Sequence, residues 1–223
     1  MNREADGTGL RVYPGYLDRD KQTALLDAVD EVFTVAPLFT PRMPKSGRPF
    51  TVRMSNCGPL GWISDENGYR YQPTHPETGR PWPPMPATLI AIWNDVARYG
   101  CPPEACLINY YGPAAKMGLH QDRDEENLTA PLVSVSLGDS CLFRVGGPRR
   151  NGPSRSLRLD SGDVLVLADD ARLAFHGVDR IYPRTSALLG REGRINLTLR
   201  RVHAPAAATS QPDPAAGVVR EAP

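Results

Sequence analysis

Four carboxylates and one histidine fall within seven positions, His120 to Glu126, of the stretch MGLHQDRDEE. Imidazole nitrogens and carboxylate oxygens are ligands of divalent transition metals. On a strand, the two-residue spacing of His120 and Asp122 turns both side chains to one face and sends Gln121 to the other. On a helix the pair would diverge by about 200°. HQD is therefore a two-ligand site only where the chain is extended, and Gly112, Pro113 and Gly118 disfavour a helix there. His-x-Asp alone is common by chance and more often lies on a surface than on a metal.

A third ligand must come from the other three histidines. His203 borders an Ala/Pro-rich tail. His75 lies in QPTHPETG, a Pro-rich stretch that predicts no rigid orientation. His176, predicted to end a strand RLAFH beside Gly177, is the best candidate. Two histidines and one carboxylate on one face, with positions left open, form the ligand set of non-haem Fe(II) oxygenases. In RINLTLR, strand alternation puts Arg194, Asn196, Thr198 and Arg200 on one face and Ile195, Leu197 and Leu199 on the other. An unpaired buried cation is costly. That polar face is thus either wet or in contact with a bound anion, and arginine would hold a dicarboxylate bidentately. LINYY adds Asn109 and Tyr111 on one face as hydrogen-bonding groups.

The elements that must position these residues are short strands. ACLINYY, PLVSVSL, CLFRV, SLRL, DVLVLA, RLAFH and RINLTLR follow one another with Gly, Pro and Asp between them. Strands without intervening helices predict a mainly β fold, a double-sheet jelly roll. Two amphipathic helices precede them and are expected to buttress one sheet. One is capped by Asp18 or Asp20 and carries Leu25, Val29, Val32 and Phe33. The other begins at Pro86, carries Leu89, Ile90, Trp93 and Val96, and stops at Gly100. Residues 40–86 are rich in Pro, Gly and aromatics. GWISDENGYRYQP predicts a hairpin around Asn67-Gly68, bearing Trp62 and Tyr69, and a lid.

The 223 residues suffice for one sizeable core, and the expected division is one domain over 1–202, with a lid at about 40–86 and a jelly-roll core at about 105–202. Residues 203–223 hold seven Ala and four Pro and are expected to form a disordered tail. Net charge is +1, which gives no global attraction to a polyanion. Locally, residues 104–139 carry two basic and six acidic groups, while residues 142–203 carry twelve arginines and six acids. Four cysteines without a Cys-x-x-Cys pair fit free thiols in a reducing cytoplasm. The N-terminus has no apolar signal-like run, and no segment approaches the roughly 20 apolar residues of a membrane helix. A soluble, cytoplasmic protein is expected.

NCGPLGW, ACLINYYGPAAKMGLHQDRDEE, PLVSVSLGD, RLAFHGV and RINLTLR occur in an order and spacing that resembles the AlkB family of Fe(II)- and 2-oxoglutarate-dependent dioxygenases, over roughly residues 10–202. The resemblance implies that His120, Asp122 and His176 hold Fe(II). It implies that Asn109, Tyr111, Arg194, Asn196 and Arg200 line the 2-oxoglutarate site, Arg194 at the distal carboxylate and Arg200 at the iron-chelating end. Trp62 would stack on an extruded base opposite His120, and Tyr69, Arg70 and Tyr71 would contact the lesion strand's backbone. Asp124 would read an exocyclic amine, with Glu125 adding to an acidic pocket that favours a cationic base, and Arg150 would sit at the substrate groove. Glu126 is read as a solvated charge.

The implied activity is oxidative demethylation of bases such as 1-methyladenine and 3-methylcytosine, consuming 2-oxoglutarate and O2 and releasing formaldehyde, succinate and CO2. The implied partner of a monomeric enzyme is alkylated single-stranded DNA, with duplex DNA and RNA as further candidates and no membrane. Against the family pattern, Asp169 and Asp170 stand where glycines are common, Leu167 stands where an aromatic can occur, and the loop before Arg194 is long. The competing readings are an Fe(II)/2-oxoglutarate hydroxylase of small molecules or proteins and a non-catalytic jelly-roll binding module.

Overall fold

The computed structural model describes residues 4–5 and 7–205. In chain order the elements are β1 (Glu4–Ala5), β2 (Leu10–Tyr13), α1 (Arg19–Val35), β3 (Val52–Cys57), β4 (Gly61–Asp65), β5 (Gly68–Gln72), α2 (Ala87–Val96), β6 (Ala105–Tyr111), β7 (Met117–His120), β8 (Leu132–Gly138), β9 (Ser140–Gly146), β10 (Ser154–Leu159), β11 (Val164–Leu167), β12 (His176–Tyr182) and β13 (Arg194–Arg200). A 3-10 turn, Asp169–Ala171, separates β11 from β12. A seven-stranded sheet runs β1-β2-β11-β8-β13-β6-β3 and a four-stranded sheet runs β10-β9-β12-β7, all neighbours antiparallel. Two such sheets enclosing one cavity are the expected jelly roll.

Strand alternation divides the core. On the large sheet, Ile108, Val133, Val135, Val164, Val166, Ile195, Leu197 and Leu199 face the helices, where Leu25, Val29 and Val32 of α1 and Leu89, Ile92, Trp93 and Val96 of α2 cover them. The opposite face turns Leu107, Leu132, Leu165 and Leu167 toward Phe143 and Val178 of the small sheet. Burying each such side chain contributes about 1.5–3 kcal/mol. The helices therefore clamp the sheet whose inner face carries the polar residues.

Several sequence expectations shift locally. Asp18 is the N-cap of α1, accepting the Lys21 amide at 2.9 Å. The helix α2 ends at Val96, four residues before Gly100, because Arg98 takes a left-handed backbone at φ 55°. It buries Ile92 where Ile90 was expected. The hairpin pairs Asp65 with Gly68, so its two-residue turn is Glu66-Asn67 and Gly68 (φ 109°) opens the return strand. Asp65 accepts the Asn67 amide at 2.8 Å, an Asx turn that sets this register. His176 begins β12 and does not end a strand, because RLAF is spent on leaving the 3-10 turn. Within that turn Asp169 adopts φ 49°, a conformation glycine takes freely and aspartate tolerates.

His75, expected to lack a fixed orientation, is rigidly held. Its ring contacts the Pro37 carbonyl at 2.8 Å, accepts two backbone amides, and packs between Phe39 and Trp82. It is a satisfied core histidine. His203 is fastened to Glu104 at 2.8 Å through its amide and 3.0 Å through its ring. The expected tail beyond Pro205 lies outside the described residues.

Candidate metal centre and base pocket

β7 and β12 are adjacent antiparallel strands whose register pairs His120 directly with His176. Their rings lie 4.7 Å apart between centroids. Asp122 follows two residues after the end of β7, in irregular chain, and completes a cluster whose ligand atoms all lie within 4.8 Å of one another. His120 Nε2 is 3.5 Å from one Asp122 oxygen and His176 Nε2 is 3.8 Å from the other. Gln121 points away, donating to the Leu173 carbonyl at 2.5 Å.

Each histidine has its second nitrogen tied to the backbone. His120 Nδ1 lies 2.9 Å from the Gly118 carbonyl, and His176 Nδ1 lies 2.9 Å from the Ala174 carbonyl. A carbonyl only accepts, so Nδ1 carries the proton and the Nε2 lone pair is turned to the shared centre. Burial pushes the His176 imidazolium down to about 4. Burial also acts on His120, but its contact with Asp122 outweighs this and raises it. Asp122 is held well below the usual carboxylate range: Arg200 and the two histidines overcome the cost of its burial. The donor set fits a divalent metal with positions left open.

Above the triad lies a cavity of about 460 Å³, walled by Leu107, Leu132, Phe143, Leu159, Leu165 and Leu167. Arg194 is 1% exposed, and its guanidinium donates to Ser136 Oγ at 2.6 Å and to the Asp139 and Leu159 carbonyls at 3.3 and 3.5 Å. No acid pairs with it among the described residues, and its Nε is unpartnered, as is Asn109 Oδ1. A buried guanidinium that faces a cavity with no acid in contact is a place for an anionic ligand. Tyr111 lines the same cavity, its phenol pushed up by burial. Asn196 donates to Ser134 Oγ at 2.7 Å and to the Val135 carbonyl at 3.2 Å. Arg200 donates to Asp122 Oδ2 at 2.7 Å, so its charge is directed at the triad.

The lid hairpin, β4-β5, closes one side of the cavity. Trp62 is stacked on Tyr69 with centroids 5.6 Å apart and planes 16° from parallel. Its indole N–H donates to Asp124 at 2.8 Å. Arg150 lines the mouth and lies over Phe175 at 5.9 Å.

Three expected substrate contacts are placed differently. Arg70 is paired through both terminal nitrogens with Asp65 at 2.8 Å, so its charge is already matched within the hairpin. Tyr71 points inward: its hydroxyl donates to Glu125 at 2.6 Å and accepts from Arg200 at 2.9 Å, so it is not available to a nucleic-acid backbone. Glu125 does not line the pocket. Its side chain is fully enclosed and ion-paired with Arg172 at 3.1 Å. Arg172, absent from the sequence expectations, also donates to the Asp122 carbonyl at 2.6 Å and the Ala130 carbonyl at 2.7 Å. Its one signal in the sequence is an arginine set among apolar residues in LADDARLAF, where Ala171, Leu173 and Ala174 flank it.

The profile described as "2OG-Fe(II) oxygenase superfamily" matches residues 9–200. The chain is 53% identical over 193 residues to "Alpha-ketoglutarate-dependent dioxygenase AlkB homolog" of Caulobacter vibrioides, covering 86% of this chain and 87% of that one. It is 40% identical over 185 residues to "Alpha-ketoglutarate-dependent dioxygenase AlkB" of Escherichia coli, covering 79% and 83%. Among solved structures, "The structure of OsALKBH1" superposes with a TM-score of 0.77 at 29% identity, covering 90% of this chain and all of that chain.

Proposed function

The chain belongs to the 2OG-Fe(II) oxygenase superfamily, and within it to the AlkB proteins, and from this premise we infer that it oxidatively demethylates alkylated nucleobases. The cofactor is Fe(II), with 2-oxoglutarate and O2 as cosubstrates. The observation that carries the reading is the juxtaposition, around one cavity, of a cluster of two histidines and one carboxylate, a buried Arg194 with no acid in contact and the Trp62–Asp124 pair.

His120, Asp122 and His176 are the residues that would hold the metal, each histidine through Nε2. When bound, Fe(II) supplies the oxidising chemistry, in which 2-oxoglutarate is converted to succinate and CO2 and an N-methyl group is hydroxylated. The hydroxymethyl base then releases formaldehyde, and the strand stays intact. Arg194, with Asn109, Tyr111 and Asn196 beside it, would bind the dicarboxylate. Arg200 fixes the orientation of Asp122. The apolar wall excludes water.

A paired base cannot reach this cavity, so the base is flipped out or taken from a single strand. Trp62 offers a flat face for it, and Asp124, at the mouth, favours a cationic methylated base over its neutral product. Exposed Arg123 and Arg150 line the mouth and suit flanking phosphates. Single-stranded DNA carrying 1-methyladenine or 3-methylcytosine is the proposed substrate. We propose a monomeric enzyme of the reducing cytoplasm, in keeping with its four free cysteines; among the described residues no helix is long and apolar enough to cross a membrane. The proposed division is one domain over 1–202, with a lid at about 40–86 and a jelly-roll core at about 105–202.

The test is release of formaldehyde and succinate from methylated DNA and RNA oligonucleotides, with and without 2-oxoglutarate. Formaldehyde from DNA that requires 2-oxoglutarate and is lost in His120→Ala is expected. Succinate without formaldehyde from any methylated oligonucleotide would point instead to a hydroxylase of another substrate class.

A further inference from the structure

We infer that Glu125 is a positioning residue that joins the lid to the segment carrying Asp122. This rests on the reading of His120, Asp122 and His176 as the metal site.

Three elements converge on the Glu125 carboxylate, whose side chain is 0% exposed. Tyr71 of the lid strand β5 donates to Oε1 at 2.6 Å. Arg172, from the link between β11 and β12, donates to Oε2 at 3.1 Å. Arg200, from β13, lies 3.4 Å from Oε1. The two guanidiniums continue toward the triad: Arg200 donates to the Asp122 carboxylate at 2.7 Å and Arg172 to the Asp122 carbonyl at 2.6 Å. Asp122 is thus gripped at side chain and backbone by two arginines, and both arginines are anchored by Glu125.

The charges balance only as a set of four. Asp122 and Glu125 supply two negative charges, and Arg172 and Arg200 supply two positive ones, all buried. Without the Glu125 charge, both guanidiniums would turn their full charge on Asp122 and compete with a metal for its oxygens. With it, Arg200 gives one terminal nitrogen to Asp122 and the other to the Tyr71 hydroxyl, with the Glu125 carboxylate 3.4 Å from the latter nitrogen, and an Asp122 oxygen remains toward the histidines. The Tyr71 hydroxyl is the lid's side of the same connection.

The two ends of this strut separate experimentally. Mn(II), a redox-silent probe, is titrated into the metal-free full chain by electron paramagnetic resonance, and KM for a methylated oligonucleotide is measured in parallel. Glu125→Gln keeps the shape and removes the charge. It is expected to weaken Mn(II) binding about tenfold, the scale of outer-sphere contacts at metal sites. Tyr71→Phe is expected to leave Mn(II) affinity unchanged and to raise KM several-fold. A purely structural role would lower the melting temperature of both variants without that split.

Should Glu125→Gln not fold, Arg172→Lys decides, since an ammonium cannot span the three acceptors that the guanidinium reaches. It too should bind Mn(II) more weakly. Wild-type Mn(II) affinity in a folded Glu125→Gln or, in its place, Arg172→Lys overturns the inference. His120→Ala is the control. Loss of Mn(II) binding there, with wild-type binding in the Glu125 variant, sinks the positioning role alone. Retained Mn(II) binding in His120→Ala overturns the metal site and this inference with it.

Discussion

His120 and His176 are held by the same kind of backbone contact yet titrate in opposite directions. Burial keeps His176 neutral down to about 4, against an ordinary value of 6.5. In metal-free protein the unfolded chain therefore binds more protons than the folded one between those values, and stability falls as pH falls through that window. His120 works in the other sense: its raised value adds stability below 6.5 that is lost as pH rises through the folded value. His176→Gln should flatten the acid-side fall in melting temperature, as followed by thermal denaturation of the metal-free chain from pH 6.5 to 4. Asp124 invites a second test. Asp124→Ala removes both its charge and its bond to Trp62, whereas Asp124→Asn keeps an acceptor for the indole. If the charge recognises a cationic base, both variants should lose about tenfold in preference for methylated over unmodified oligonucleotides in competition binding. If only the tether matters, Asn should behave as wild type. In sequence, RDEE looks like one acidic run. The fold divides it, with Asp124 and Glu126 exposed and Glu125 enclosed, because Glu125's partners lie 47, 54 and 75 positions away and leave no local trace.

The strands were the most legible elements, because alternation is a local property. The parity of RINLTLR puts Arg194, Asn196 and Arg200 on one face, and that of LINYY puts Asn109 and Tyr111 on one face, without deciding between solvent and ligand; all five line the cavity. The helix α2 was less legible: in LIAIW nearly every position is apolar, so periodicity alone does not decide between Ile90 and Ile92. The order of His75 was hidden for a different reason, since its ring is fixed by a carbonyl 38 residues away. The lid hairpin yields a prediction of its own. Its inner face presents Trp62, and Gly61 admits no side chain, because a Cβ there would stand 2.4 Å from Trp82. Trp62→Ala should therefore lower kcat/KM on methylated oligonucleotides while leaving substrate-independent 2-oxoglutarate turnover nearly unchanged. Equal losses in both assays would remove the stacking role.

Across the whole molecule, the acidic middle and the arginine-rich end largely cancel, leaving a net charge of +1. Part of the acidic segment is withdrawn from the surface altogether, since Asp122, Glu125 and Asp139 are buried. At the cavity mouth, attraction to a polyanion would draw on the exposed Arg123 and Arg150. Two phosphate contacts on a single strand predict a slope of about −1.4 for log affinity against log salt. Arg123→Ala and Arg150→Ala together should flatten that slope toward zero, as read by fluorescence anisotropy of a labelled oligonucleotide. The stack of Trp62 on Tyr69 also has an optical consequence. Of the three tryptophans, Trp82 and Trp93 are enclosed in the core with their indole N–H groups on backbone carbonyls, and Trp62 alone lines the cavity. Quenching of intrinsic emission when an oligonucleotide binds therefore reports on a single side chain, and the enzyme carries its own unlabelled sensor of an occupied pocket.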